Sequence, residues 1–267
     1  MKVHTLTALN DNYIFILVDE LSREAVVVDP ALPDVVIDFI KNNNLKLTKI
    51  LNTHHHCDHV DGNSLILKEF PNVEVCAGIN DSGRVPFQTH FLKHGDIINC
   101  VGESAQIFYV PGHTLGHICY FFSLKDGENH LFIGDTIFSG GCGKIFEGTY
   151  YQMYQSINFL IKNLPDSTYI WCTHEYTLEN YLYLEKLEPE NIRIKQKIKD
   201  VKELRKQNKA TIPFTLGSEK ILNSFLRSND PSLKFILNAN NDFEIFCKVR
   251  QFRDKSQNIN ADIEILK

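Results

Sequence analysis

The sequence predicts an α+β protein: two stacked β-sheets with helices on their outer faces over residues 1–174, then a small all-α domain over 175–267. Three observations predict it. Before residue 175, short apolar and β-branched runs alternate with segments of helical spacing. After Tyr176 the periodicity is helical, with few strand signals and no low-complexity linker. A chain of 267 residues that is 43% hydrophobic can bury one large core and a smaller one.

Residues 1 to about 28 read as two or three strands, with apolar runs at 13–18 and 25–28 separated by a polar turn. The second run ends at Asp29-Pro30, where the carboxylate either forms the turn or orients a histidine. Residues 33–41 carry apolar positions 35, 36, 39 and 40, a helical spacing, and strands follow at 47–51 and 73–76 around a helix ending near residue 70. Residues 78–96 read as irregular, with His90 and His94 in surface or packing roles. Further strands are expected at 106–110, 130–134 and 168–172. Helices are expected at 178–187, 191–207, 219–227 and 242–255, the third with Ser218 as its N-cap.

A net charge of −5 without a dense basic run argues against a general nucleic-acid or anionic-membrane surface. Seven scattered cysteines with no C-x-x-C pair read as free thiols in a reducing compartment. No signal-peptide pattern opens the sequence, and no apolar run approaches the roughly 18 residues that span a bilayer. These features point to a soluble, cytoplasmic protein; a monomer is expected, though none of them fixes the oligomeric state.

The chemistry concentrates in Thr53-His54-His55-His56-Cys57-Asp58-His59, directly after the strand at 47–51. On extended backbone His54 and His56 leave the same side while His55 points away, and Asp58 and His59 follow the turn. One cation does not easily take all of these groups, but two adjacent cations do, and imidazole with carboxylate suits zinc, iron or manganese. Three later strands repeat the placement, ending at His113, Asp135 and His174. His54, His56 and His113 then make one nitrogen set, and Asp58, His59 and His174 a second, with Asp135 left to bridge. His117 is assigned a structural place, and Cys57 faces away. Each metal keeps an open position, as catalytic sites do. Two divalent metals about 3.5–4 Å apart supply hydroxide at neutral pH and polarise a substrate oxygen, which is hydrolytic chemistry, with Asp58 holding the hydroxide's proton. Nearby polar groups are Lys144 in Gly140-Gly141-Cys142-Gly143-Lys144 and Tyr176, two residues beyond His174. Arg250 and Arg253 share a helix face, either solvated or able to clamp a carboxylate.

Over essentially its whole length the sequence resembles glyoxalase II, the hydroxyacylglutathione hydrolases of the metallo-β-lactamase superfamily. The resemblance rests on the histidine motif, Gly112-His113-Thr114-Leu115-Gly116-His117, Gly134-Asp135-Thr136, Gly141-Cys142-Gly143-Lys144 and His174-Glu175-Tyr176-Thr177. It implies a metallo-β-lactamase αββα sandwich with two divalent metal ions, zinc first and iron or manganese as alternatives, and a helical domain completing a glutathione pocket. It implies hydrolysis of S-D-lactoylglutathione to glutathione and D-lactate, the second step of methylglyoxal detoxification. Lys144, Tyr176, Arg250 and Arg253 then become donors to the carboxylate ends of glutathione. Two positions depart from the family pattern: Phe146 stands where a tyrosine is usual, and Arg253 where lysine is common. The competing readings are a mononuclear iron persulfide dioxygenase of the same superfamily and a metal-dependent phosphodiesterase or nuclease. The first does not need the complete second ligand set, and the second predicts a basic groove.

Overall fold

A computed structural model of the protein describes residues 1–255. In the first sheet, β1 (Lys2–Ala8), β2 (Asn12–Val18) and β3 (Glu24–Val28) form an antiparallel meander. Three parallel neighbours follow: β4 (Lys46–Leu51), β5 (Glu74–Gly78) and β6 (His90–Leu92). In the second sheet, β7 (Ile97–Cys100), β8 (Glu103–Tyr109), β9 (Ile118–Ser123) and β10 (Asn129–Gly134) run antiparallel. A short ribbon of β11 (Ile137–Phe138) and β12 (Gly141–Cys142) stands apart. Beyond it β13 (Tyr169–Cys172) joins the second sheet parallel to β10, and β14 (Phe214–Thr215) closes that edge. The helices are α1 (Pro33–Asn42), α2 (Cys57–Val60), α3 (Asn63–Glu69), α4 (Tyr150–Asn163), α5 (Thr177–Leu187), α6 (Ile192–Lys206), α7 (Leu216–Leu222), α8 (Pro231–Ile236) and α9 (Asp242–Lys255).

The alternation in β2 explains the layers. Tyr13, Phe15 and Leu17 face the second sheet and pack in one cluster with Ile107, Tyr120, Phe122 and Phe132. Ile14, Ile16 and Val18 leave the opposite face and meet Val36 and Ile40 of α1 and Ile66 of α3. β2 is thus buried on both sides, and each such side chain contributes about 1.5–3 kcal/mol by leaving water. Met153, Ile157 and Leu160 bring α4 into the inter-sheet cluster, and a Thr149–Gln152 capping box fixes where that helix starts. Tyr181, Tyr183 and Leu184 of α5 form a separate cluster with Ile194 and Ile198 of α6.

Most of the expected elements occur, within a few residues of the expected bounds. The differences have local causes. The stretch at 78–96 is not wholly irregular, since β6 lies in it, but a three-residue strand offers no alternation to read. The third helix runs Leu216–Leu222 instead of 219–227, and its N-cap is Thr215, whose hydroxyl accepts from Ser218 N. It stops early because Asn223 turns inward, donating from Nδ2 to the carbonyls of Phe138 and Gly141. All seven cysteines are unpaired. Among the described residues no helix is long and apolar enough to cross a membrane.

Candidate metal centre

Four strands end at one rim of the sandwich, and each delivers polar side chains there: β4 the histidine motif, β8 His113, β10 Asp135 and β13 His174. The structure brings all seven expected ligands together. His54 Nε2 lies 2.9 Å from His56 Nδ1, and His113 Nε2 lies 3.1 Å from the same atom. Asp58 and His59 occupy the single turn of α2, so the chain doubles back and offers a second set. His174 Nε2 is 3.3 Å from Asp58 Oδ2, and His59 Nε2 is 3.7 Å from it. Asp135 stands between the sets, with Oδ1 3.5 Å from His59 Nε2 and Oδ2 3.4 Å from both His113 and His174 Nε2. Three groups of potential metal donors result: His54, His56 and His113; His54, His59 and Asp135; and Asp58, His59 and His174.

Outward hydrogen bonds fix which ring nitrogen faces in. His54 Nδ1 donates to Thr53 Oγ1 at 3.1 Å, and His113 Nδ1 to the Lys144 carbonyl at 2.6 Å. His59 Nδ1 donates to Asp29 Oδ2 at 2.9 Å, and His174 Nδ1 to Asp11 Oδ1 at 2.7 Å. With Nδ1 carrying the proton, Nε2 presents a lone pair to the centre. Of the two readings of Asp29, the structure shows the orienting one, and Thr53 completes its hydrogen bonds. Asp11 and Asn12 escaped the sequence reading. They lie more than 160 residues from His174 and carry no motif, and only the fold brings them in, through a bridge between Asn12 and His174. Asn12 Nδ2 also donates to Asp58 Oδ2 at 3.2 Å.

The two sets differ in electrostatics. Burial holds His54 well below its ordinary pKa, and burial followed by the nearness of His113 and His55 lowers His56 to about 4. Burial likewise lowers His113. In the other set burial also pushes downward, but Asp135 and Asp29 outweigh it at His59, and Asp135 with the Asp11 hydrogen bond at His174, so both are raised. For Asp58 and Asp135 burial pushes upward, yet the facing histidines hold both carboxyls well below the usual range.

The donor set fits divalent cations. Lone pairs of neutral imidazoles converge at 2.9 and 3.1 Å, and a positive charge relieves that approach. His59 Nε2 and Asp135 Oδ1 are buried without a hydrogen-bond partner among the described residues, an expensive condition that a cation between them removes. Two glycines permit the packing. Gly134 has φ +52°, and a Cβ there would come within 2.4 Å of Thr53 Oγ1. A Cβ on Gly143 would lie 1.9 Å from the Asp135 carbonyl oxygen.

The remaining expected residues surround this centre. Tyr176 stacks on His174, centroids 4.8 Å apart and planes 2° apart. Phe146, 59% exposed, sets its ring edge-on near His56 and His113 at 5.5 and 5.3 Å. Lys144 Nζ lies 5.1 Å from the Phe146 ring centroid. Arg250 is buried, and its guanidinium is committed to the Cys142 carbonyl at 3.0 Å and to Asp254. Arg253 pairs with Glu179. His117 joins none of the donor groups; it stacks on His54 at 4.7 Å and its Nε2 accepts from Asp135 N. Cys57 is exposed.

Residues 9–174 match the metallo-β-lactamase superfamily, and residues 175–256 match the hydroxyacylglutathione hydrolase C-terminus. Hydroxyacylglutathione hydrolases from Crocosphaera subtropica and Synechocystis sp. are each 44% identical over 256 residues, covering 95% of this chain and 99% of theirs. That of Gloeobacter violaceus is 44% identical over 255 residues, covering 96% of this chain and all of its own. Among solved structures, ETHE1 from Myxococcus xanthus superposes with a TM-score of 0.64 at 23% identity, covering 95% of this chain and 98% of its own. A metallo-β-lactamase from Staphylococcus aureus gives 0.66 at 24% identity, covering 94% of this chain and 72% of its own. The fold and the His/Asp cluster together imply divalent metal ions.

Proposed function

This chain belongs to the hydroxyacylglutathione hydrolase family of the metallo-β-lactamase superfamily, and on that premise we propose that it hydrolyses the thioester of S-2-hydroxyacylglutathiones. S-D-lactoylglutathione is the foremost substrate, giving glutathione and D-lactate in the second step of methylglyoxal detoxification. The observation that carries the substrate is the match of residues 175–256 to the C-terminal region of these hydrolases, because the metal ligands are shared across the superfamily. The comparisons do not favour the dioxygenase or the phosphodiesterase reading. The division of labour is a catalytic unit over 1–174 and a substrate-binding unit over 175–267, whose residues 256–267 lie outside the described structure.

His54, His56 and His113 would hold one divalent ion and Asp58, His59 and His174 the other, with Asp135 available to both; zinc is the first choice and iron or manganese the alternatives. Such ions lower the pKa of water and polarise a carbonyl oxygen. Asp58, kept ionised by His174 and His59 and aligned by Asn12, takes the proton of the attacking water at a carboxylate oxygen. The new C–O bond replaces the C–S bond, and the sulfur leaves with the proton as glutathione thiol. Tyr176 keeps its proton because burial raises its pKa to about 12, so its hydroxyl is a donor at neutral pH. Lys144 and Arg253, the latter already paired with Glu179, are the cations offered to the carboxylates of glutathione. Arg250 acts beside them by bracing Cys142, two residues from Lys144. Phe146 supplies an apolar wall.

Metal analysis of the purified protein, alongside loss of the lactoylglutathione thioester absorbance, tests this reading. Two equivalents of divalent metal and turnover that chelation abolishes are expected. Undiminished turnover by fully stripped protein would overturn it.

A further inference from the structure

Glu147 stands outside the centre yet touches every loop that builds its three-nitrogen side. Its Oε2 accepts from Leu115 N at 2.9 Å and from Arg84 Nη1 at 3.1 Å, while Oε1 takes Arg84 Nη2 and lies 3.5 Å from His55 Nε2. The backbone N–H groups of Phe146 and Glu147 both donate to the carbonyl of His113, at 3.2 and 3.4 Å. His55 in turn donates from Nδ1 to Asp81 Oδ1 at 3.0 Å and accepts from Arg84 at Nε2. Asp81 is fully buried, and Gly116 lies so close over it that a Cβ would come within 2.0 Å of Oδ1. One arginine between two carboxylates thus binds four segments: the 54–56 turn, the loop after β5, the 113–117 loop and the segment after β12.

The placement is one-sided. His55 sits between two ligands of the three-nitrogen set, and Leu115 lies two residues from its third. None of these contacts reaches Asp58, His59 or His174, whose outer partners are Asn12, Asp29 and Asp11. Arg84 is 41% exposed, so its ion pair with Glu147 contributes little to fold stability. What it supplies is alignment of three nitrogens carried on loops outside the strands.

We infer that Glu147 and Arg84, through His55 and Leu115, are positioning residues for the His54–His56–His113 cation site alone. This rests on the two-ion reading given above. The test compares wild type, Glu147→Gln, Arg84→Gln and, as a counterpart on the other set, Asp11→Asn. Each full-length protein is stripped with chelator and titrated with zinc against a chromophoric chelator, and its thermal unfolding is recorded. The expected result is that the first two variants weaken one of the two binding steps by about 10-fold, the lower end for an outer-shell loss, and leave the other step and the melting temperature near wild type. Asp11→Asn weakens the complementary step, and combining it with Glu147→Gln weakens both. Glu147→Gln and Arg84→Gln titrations that overlay wild type, or that lose both steps equally, overturn the inference. A wild-type protein that takes up zinc in only one step, or none, fails the two-ion reading itself and removes the inference with it.

Discussion

The three-nitrogen set and the acid-bearing set lie side by side and share Asp135, yet they are held together in opposite ways. His54 and His113 are buried and His56 is half-buried; all three have lowered pKa values, and a hydroxyl backs His54 and a carbonyl His113. His59 and His174 are raised, backed by Asp29 and Asp11 and facing Asp58 and Asp135. Without a cation the first set is a cluster of neutral acceptors that repel one another, and the second is a closed network of ion pairs. A carboxylate behind an imidazole increases its basicity, so the second set is the stronger donor but must shed protons to bind a cation. The first set is ready at neutral pH and depends on outside alignment. Two adjacent sites can therefore share one fold and one aspartate while differing in what their surroundings must supply.

The strongest way to break this comparison is to remove what the sets share. Asp135→Ala deletes the carboxylate that faces His59, His113 and His174 together. It should lose both cations and reduce turnover by well over about 100-fold, since losing an outer-shell partner alone costs about 10–100-fold in metal affinity. Metal content by mass spectrometry and the thioester assay check this. If Asp135→Ala keeps one full equivalent of metal, the sets do not depend on their shared residue.

The same contrast explains what was legible in the sequence. The ligands could be read because each stands just after a strand, where an apolar run makes the next polar residue conspicuous: Val110 before Pro111-Gly112-His113, Ile133-Gly134 before Asp135, and Cys172-Thr173 before His174. Asp29 had the same position and was readable as a candidate for the same reason. Asp11 precedes a strand instead of ending one, and its partner is 163 positions away, so no local pattern exposes it. Arg84 and Glu147 lie in loops where charged residues are ordinary, 63 positions apart, and only the fold makes them neighbours. The layering of stacked sheets with outer helices was visible through the alternation of strand-like and helical segments before residue 175, while β6 was too short to stand out. In the C-terminal region the periodicity located α5, α6 and α9. The start of α7 was misread because a serine three residues inside the helix looks like a cap when Thr215 is overlooked.

A smaller effect sharpens the electrostatic half of the comparison. In metal-free protein the His56 pKa is about 4, against an ordinary value of 6.5. Between those values the unfolded chain binds a proton that the folded chain refuses, so His56 makes stability fall as pH drops from 6.5 towards 4. His174 has the opposite sign: its raised folded pKa contributes stability that is present below 6.5 and is lost as pH rises through that higher value. Melting temperatures of chelated wild type, His56→Gln and His174→Gln, measured from pH 4.5 to 9, separate the two. The acid-side fall should be shallower by a few degrees in His56→Gln, and the alkaline-side fall shallower in His174→Gln. Parallel profiles for all three proteins would mean that the two sets are not electrostatically distinct.

The smallest expected effect concerns the aromatic ring beside each set. Tyr176 lies flat on His174, whereas Phe146 stands edge-on to His56 and His113 and has no hydroxyl to offer a substrate. The hydrogen-bonding asymmetry therefore puts the donor on the acid-bearing side. A neutral hydrogen bond contributes about 0.5–1.5 kcal/mol net, which is roughly 2- to 12-fold in binding. Tyr176→Phe should raise KM for lactoylglutathione within that range and change kcat little, because the ring still covers His174. Phe146→Tyr should lower KM by no more than the same factor, since its ring is largely exposed and water competes for the new hydroxyl. If Tyr176→Phe instead lowers kcat with KM unchanged, the hydroxyl acts on the reacting thioester, and the acid-bearing side takes part in the chemistry beyond holding its cation.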